Sequence, residues 1–252
     1  MYKLKDRLRA AGIHFGISAV IAALSALLVF WLWYPWPYRE ISSGRELFFI
    51  VVTVDVILGP LLTFAVFDMR KGLKKMRFDF AVIALLQLTG LSYGLWTVFI
   101  ARPVHLVFEY TMFRVVHAAD IDPADLAKAP GALRALPVTG PTPLSLRAFS
   151  SGDEQLKATL SAVAGSQLSA QPALWQPYEA AMFDLLTKAK PLPDLYKRFA
   201  ANKALIDEAV VASGRKPEEL VWLPLAGRKT FWTVLVEQKT AKPVGYLPLD
   251  SF

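Results

Sequence analysis

The chain has no cysteine. That single absence excludes disulfide scaffolds, thiolate metal sites and cysteine nucleophiles. Histidine is almost missing as well: His14, His105 and His117 are the only three. None has the sequence context of a nucleophilic triad, and no zinc-protease spacing surrounds them. The phosphate-cradling glycine patterns and the hydrolase elbow GxSxG are also lacking. Charge is scarce. Charged residues make up 19% of the chain and hydrophobic residues 54%, where a soluble domain carries about 25% charge. The net charge of +7 is unevenly placed. Residues 1–101 hold 11 Lys/Arg and 6 Asp/Glu, a balance of +5, and residues 102–252 hold 17 and 15, a balance of +2. The second part is therefore too nearly neutral for a basic nucleic-acid surface, and no nucleic-acid partner is expected.

The first part has three long apolar runs instead: Ile13 to Trp33, Leu47 to Phe67 and Phe80 to Ala101. Each has roughly the 20 residues that carry a helix across a bilayer core. Helices buried in a soluble bundle would show a polar stripe, whereas these show isolated polar residues. The expected fold is a membrane protein: three transmembrane α-helices in residues 1–101, then an exported α+β domain with an antiparallel sheet in residues 102–252. Lys3, Lys5, Arg7 and Arg9 precede the first run, and Arg70, Lys71, Lys74, Lys75 and Arg77 separate the second from the third. Between the first and second runs, Arg39 and Arg45 are balanced by Glu40 and Glu46. The positive-inside rule puts the N-terminus and the second loop in the cytoplasm, and residues 102–252 outside. Trp31, Trp33, Tyr34, Trp36 and Tyr38 read as an aromatic belt at the outer interface. The first run is too long for a cleaved leader and reads as a signal anchor.

In the exported part, residues 104–117 alternate as one bent strand or two short ones. His105 and His117 fall here, and strand histidines without a carboxylate cluster argue against a metal pair. One short helix is expected between Pro123 and Pro143. Ser151 three residues before Glu154 suggests a capping box opening a helix to about Gly165. Further helices are expected from Tyr178 to Ala189 and from Asp194 to Gly214, the latter with Leu195, Phe199, Ile206 and Val210 on one face. Three strands follow: Leu220–Leu225, Phe231–Glu237 and Val244–Leu247.

Two aspartates, Asp68 and Asp79, flank the cytoplasmic loop. Membrane aspartyl proteases use such a pair, but the flanking FDMR and FDFA lack a glycine-containing protease motif. Asp79 reads as a helix N-terminal residue. Asp55 is more telling. It lies inside the second run, where a carboxylate costs roughly 3 kcal/mol or more. Gly59 and Pro60 follow it, and proline frees a backbone acceptor, here expected to be the Val56 carbonyl. Counting depth at about 1.5 Å per residue sets Ser25 and Tyr93 level with Asp55, and Gln87 roughly 8 Å further in. The candidate intramembrane or partner-contact residues are His14, Asp55, Gly59, Pro60, Gln87 and Tyr93; no catalytic or metal-binding residue and no cofactor is expected.

IHFGIS in the first run, VDVILGPLLTFAVF in the second, Gln87 to Tyr93 in the third and the exit ARPVHLVF together resemble the type IV pilin accessory proteins of the TfpX/TfpZ group. The later LPLAGRK, TVLVE and PVGYLPLD are similar too, while residues 120–190 match nothing. The resemblance implies an inner-membrane accessory factor of type IV pilus biogenesis with a periplasmic domain. It would act as a pilin-specific chaperone, with the major pilin, other pilus assembly components and the lipid bilayer as partners. Pilins of this class carry a glutamate near the start of their membrane helix. His14, read as lying in the first turn of the first run, is a candidate to pair with it. Composition alone also allows a membrane-anchored sensor or assembly subunit of another envelope system or, less readily, a membrane enzyme.

Overall fold

The computed structural model describes residues 2–68 and 72–252, without the side chains of Tyr2 and Lys3. Arg70 and Lys71 of the basic loop therefore lie outside the described residues. The chain forms two compact units, which divide between Ala101 and Arg102.

Among the described residues, the first unit holds three helices long and apolar enough to cross a membrane: Leu4–Trp33, Gly44–Val66 and Leu73–Ile100, here called spans one to three. Two of them change pitch. Span one is α-helical over Tyr2–Leu27 and π-helical over Leu28–Trp33. Span two is α-helical over Gly44–Thr53, π-helical over Val54–Leu58 and α-helical again over Gly59–Val66. Span one packs along the Gly59–Val66 end of span two, and span three packs against the Gly44–Thr53 end. At Gly94 of span three the approach is so close that a Cβ would stand 2.5 Å from a Val51 methyl. Val29, Tyr34, Phe48 and Val98 form the core at one end. The Tyr34 hydroxyl donates to the Val98 carbonyl at 3.0 Å.

These helices outrun the apolar sequence. Span three starts at Leu73 rather than Phe80, so Lys74, Lys75 and Arg77 lie on its opening turns and Asp79 lies inside it. Hydropathy marks what lipid accepts, whereas backbone hydrogen bonding continues through good helix formers such as Leu, Lys and Met. The residues expected to form an aromatic belt do not all face outward. Trp31 is 78% exposed and Trp36 57%, but Tyr34 and Tyr38 are buried. A phenol inside protein needs a partner, and Tyr34 has one in the Val98 carbonyl.

The second unit is built on an eight-stranded sheet. Its strands are β1 (Pro103–Glu109), β2 (Met112–His117), β3 (Thr142–Leu146), β4 (Trp175–Pro177), β5 (Lys190–Pro191), β6 (Leu220–Ala226), β7 (Phe231–Glu237) and β8 (Pro243–Leu247). The order is β4-β3-β1-β2-β6-β7-β8, with β5 on β6. β1 and β2 form a hairpin through Tyr110 at φ 56°. The sheet is mixed, not antiparallel as expected: β1 runs parallel to β3, and β2 parallel to β6. Parallel neighbours need crossovers, and the stretch between β2 and β3 and the helical region before β6 provide them. Short strands containing proline, β3 to β5, carry no clear alternation and escape a sequence reading.

Irregular chain covers much of the sheet. The Pro-rich stretch folds with two short 3-10 segments, Pro123–Lys128 and Gly131–Arg134, instead of one helix, after another at Ala118–Asp120. The helix Gly152–Val163 follows Ser151, whose hydroxyl accepts from the Glu154 N–H at 3.1 Å. The Glu154 carboxylate turns instead to the Ser150 N–H and to Arg147, so the box is half formed. Tyr178–Ala181 is a 3-10 turn leading into the helix Met182–Lys188. The expected long helix from Asp194 is two, Leu192–Arg198 and Lys203–Ser213, broken at Phe199, where ψ is 48°. Leu195, Ile206 and Val210 still share one core with Leu220, Trp222, Leu235 and Leu247.

His105 and His117 are both core residues, each 1% exposed. His105 Nδ1 lies 3.0 Å from Thr142 Oγ1, and its ring meets Trp175 edge-on at 4.8 Å. His117 Nδ1 lies 3.0 Å from Asp120 Oδ2. The Nε2 atom of each ring is buried without a partner. Burial pushes the His105 pKa down to about 4, against a small opposing effect of Thr142, and burial also lowers that of His117. A histidine neutral when folded and ordinary when unfolded stabilises the fold fully above its unfolded pKa. That stabilisation is lost as pH falls from about 6.5 toward 4, up to about 3 kcal/mol for His105. Denaturation of the intact protein followed by tryptophan fluorescence should thus show stability falling across this window. His105→Asn, which keeps a polar atom near the Nδ1 position, should flatten the slope and leave the part due to His117.

Candidate functional site

The site begins with a proline. In the π-helical turn Val54–Leu58, backbone donors reach back five residues. The donor to the Asp55 carbonyl would then be residue 60, and Pro60 has no N–H. The orphan acceptor is thus the carbonyl of Asp55 itself, rather than that of Val56. Gln87 of span three fills the gap. With its carboxamide turned so that the NH2 faces Asp55, the orientation that satisfies both residues, it donates to Asp55 Oδ1 at 2.8 Å and to the Asp55 carbonyl at 2.9 Å. One side chain thereby satisfies both the acid and the backbone defect beside it. Asp55 is buried, at 8% exposure.

Span one closes the other side. His14 Nδ1 lies 2.6 Å from Thr63 Oγ1 of span two. Gly59 sits between the two groups. A Cβ there would stand 2.5 Å from the Gln87 carboxamide and 2.9 Å from His14 Nε2. Gly59 is therefore the point where all three spans converge, and only a residue without a side chain fits it. At one end of this crossing, Arg7 Nε donates to the Phe67 carbonyl at 2.8 Å, binding span one to the last turn of span two.

Four of the six candidate residues, His14, Asp55, Gly59 and Gln87, meet here. Pro60 shapes the turn, and its ring lines an apolar groove with Leu8, Phe15 and Leu61. Tyr93 is elsewhere: it is 68% exposed and stacks near Trp96 at 5.9 Å. The depth count went astray because it centred span three on the apolar run. The true helix, Leu73–Ile100, is centred near Gln87, as Gly44–Val66 is centred on Asp55. His14 is likewise not in a first turn. It stands seven residues beyond Arg7, about 10 Å along the helix. Thr63 and Arg7 were missed as members. A hydroxyl within an apolar run was the available signal for Thr63. Beside the crossing, a cleft of about 550 Å³ opens between Arg9, Ile13, His14 and Ile17 of span one and Phe67 and Phe80.

Three apolar spans locked by a polar crossing, followed by a mixed-sheet unit, define a small multi-span membrane-type protein with one folded domain appended. Comparison with known proteins makes this specific. The family described as fimbrial assembly protein FimB matches residues 2–43. A fimbrial assembly protein of serogroup I from Dichelobacter nodosus is 32% identical over 97% of this chain and 95% of its own length. The serogroup E1 protein of the same organism is 31% identical over the same shares. The protein of serogroups C1 and C2 is 42% identical over 45% of this chain and 86% of its own length. No solved structure matches. The chain belongs to this fimbrial assembly protein family, a type IV pilus accessory family, as its motifs suggested.

The crossing predicts a contrast between glycines. Gly59→Ala should destabilise the protein by about 1–3 kcal/mol through overpacking, whereas Gly90→Ala, with open space around it, should be neutral or slightly stabilising. Melting of the two variants in detergent checks this.

Proposed function

We propose that this protein serves pilus biogenesis as an inner-membrane accessory factor, holding pilin in a stable form before or during assembly. Spans one to three cross the inner membrane with the N-terminus in the cytoplasm, and residues 102–252 lie in the periplasm. The observation that carries the reading is the near full-length match to fimbrial assembly proteins. The architecture supports it. A pilin awaiting assembly has a membrane helix and an aqueous head, and a factor that steadies it needs a surface in each phase.

Within this role the polar crossing is internal. Asp55 is satisfied by Gln87, and His14 by Thr63. His14 is held inside the unit through Nδ1 and also lines the cleft beside Phe67 and Phe80, so pairing with an incoming glutamate stays open to it. The crossing holds the three spans in one arrangement, and the clefts beside it are what a membrane helix would meet.

Two outcomes test the reading. A reporter active only outside the cytoplasm should work when fused after Pro103 or Phe252 and fail at Gly72; activity at Gly72 would overturn the topology. Asp55→Leu removes the side-chain acceptor of the Gln87 amide and leaves it only the backbone carbonyl of residue 55, at a cost of about 1–3 kcal/mol. The variant should lower the protein's own level and, in proportion, the pilin recovered with it. A normal protein level with pilin recovery alone reduced would instead make Asp55 a partner-facing group.

A further inference from the structure

The cleft beside the polar crossing changes character along its length. Its walls are Ile13 and Ile17 of span one, Phe67 just past span two and Phe80 of span three. Its mouth is formed by Asp6 and Arg9. Ile17 lies eight residues beyond Arg9, so the cleft runs about 12 Å along the helix. Arg7 sets the level of the mouth, because it donates to the Phe67 carbonyl where span two ends. A carboxylate and a guanidinium thus stand where the apolar spans stop, and an apolar furrow leads inward from them.

Both charges are unused. Among the described residues, neither Asp6 nor Arg9 makes an ion pair or a hydrogen bond, although only three positions separate them. A carboxylate and a cation side by side, each without a partner, match a ligand that carries the opposite pair.

We propose that this cleft binds one phospholipid with an amino headgroup, of the phosphatidylethanolamine class. An acyl chain lies between Ile13, Ile17, Phe67 and Phe80, the phosphate meets Arg9 and the primary ammonium meets Asp6. The inference rests on the membrane placement proposed above. The mouth selects the headgroup. A guanidinium takes phosphate through paired N–H donors. Asp6 needs a cation that donates hydrogen bonds; a choline headgroup has no N–H, and an acidic headgroup brings no cation. Lys74, Lys75 and Arg77 on the opening turns of span three favour phosphate at this level in general, but they do not line the cleft, and Asp6 does. Size argues against a client helix as the resident. A helix about 10 Å across and 12 Å long fills roughly 900 Å³, whereas the cleft holds about 550 Å³, within the range of small-ligand pockets. A client helix that reaches His14 therefore has to displace the lipid.

The test uses the full-length protein, without pilin, in phosphatidylcholine nanodiscs. These carry a trace of a phospholipid with a diazirine in its acyl chain and an ethanolamine, glycerol or choline headgroup. Adducts are mapped by peptide mass spectrometry, with labelling at Trp96, exposed toward the other end of span three, as the internal reference. The ethanolamine probe should label Ile17 and Phe80 about tenfold more than the other two, as one charge-assisted hydrogen bond implies. Arg9→Gln should remove that excess. Asp6→Asn should abolish the preference for ethanolamine over glycerol. Lys5→Gln, which changes an exposed cation of span one outside the cleft, should alter neither. Equal labelling by the three headgroups, or a preference for ethanolamine that survives Asp6→Asn, overturns the site and leaves the membrane placement standing. A preference for the glycerol headgroup overturns it in favour of an acidic lipid. If no probe labels any span, Trp96 included, the membrane placement is wrong and the inference falls with it.

Discussion

A carboxyl group at the middle of an apolar helix has no water to turn to, and the membrane unit is arranged around that fact. Asp55 and the carbonyl left open by Pro60 both need donors within the protein. A polar group left unsatisfied in hydrocarbon costs several kcal/mol. Gln87 supplies both bonds from one amide, which fixes span three against span two in depth and in rotation. Gly59 then admits Gln87 and His14 from opposite sides, and the His14–Thr63 contact registers span one. Apolar packing alone would leave these helices free to slide, since lipid tails are as apolar as leucine. The polar crossing gives them one register.

The number of spans, their approximate places and the oddity of Asp55 were legible in the sequence because they depend on composition and local chemistry. Proline after an intramembrane aspartate announces a backbone defect. The partner was not legible, because it depends on helix ends, and hydropathy locates those poorly. Starting span three at Phe80 instead of Leu73 set Tyr93 where Gln87 belongs. In the sheet, β6, β7 and β8 were readable from β-rich runs between turn signals. Strands β3 and β4 were not, since TPLSL and WQP are short and hold proline. β3 adds one of the two parallel pairings that make the sheet mixed, since it reaches β1 only by a crossover; β2 and β6 form the other.

The two buried histidines show the same limit from another side. Lone strand histidines were read as unremarkable, and their burial came only with the fold. His105 and His117 lie on paired strands, each with one nitrogen satisfied and one not. They make the second unit sensitive to acid without forming a site. A buried imidazole must stay neutral, and protonating it costs folding energy.

In the proposed role, the clefts beside the spans are small contacts, and that is consistent with the task. A factor that hands a subunit to a growing fibre has to release it, so a tight interface would trap the client. Weak contacts suffice when both proteins are confined to one membrane. A client held by its helix presents its head to the exported unit at an effective concentration on the order of millimolar. Two contacts of modest affinity then act together and still separate one at a time. The polar crossing contributes to this indirectly. Because Asp55 and Gln87 satisfy each other within the unit, the groove beside them is lined by apolar side chains such as Leu8, Phe15, Pro60 and Leu61. What it offers is shape and apolar surface, which favour exchange over capture.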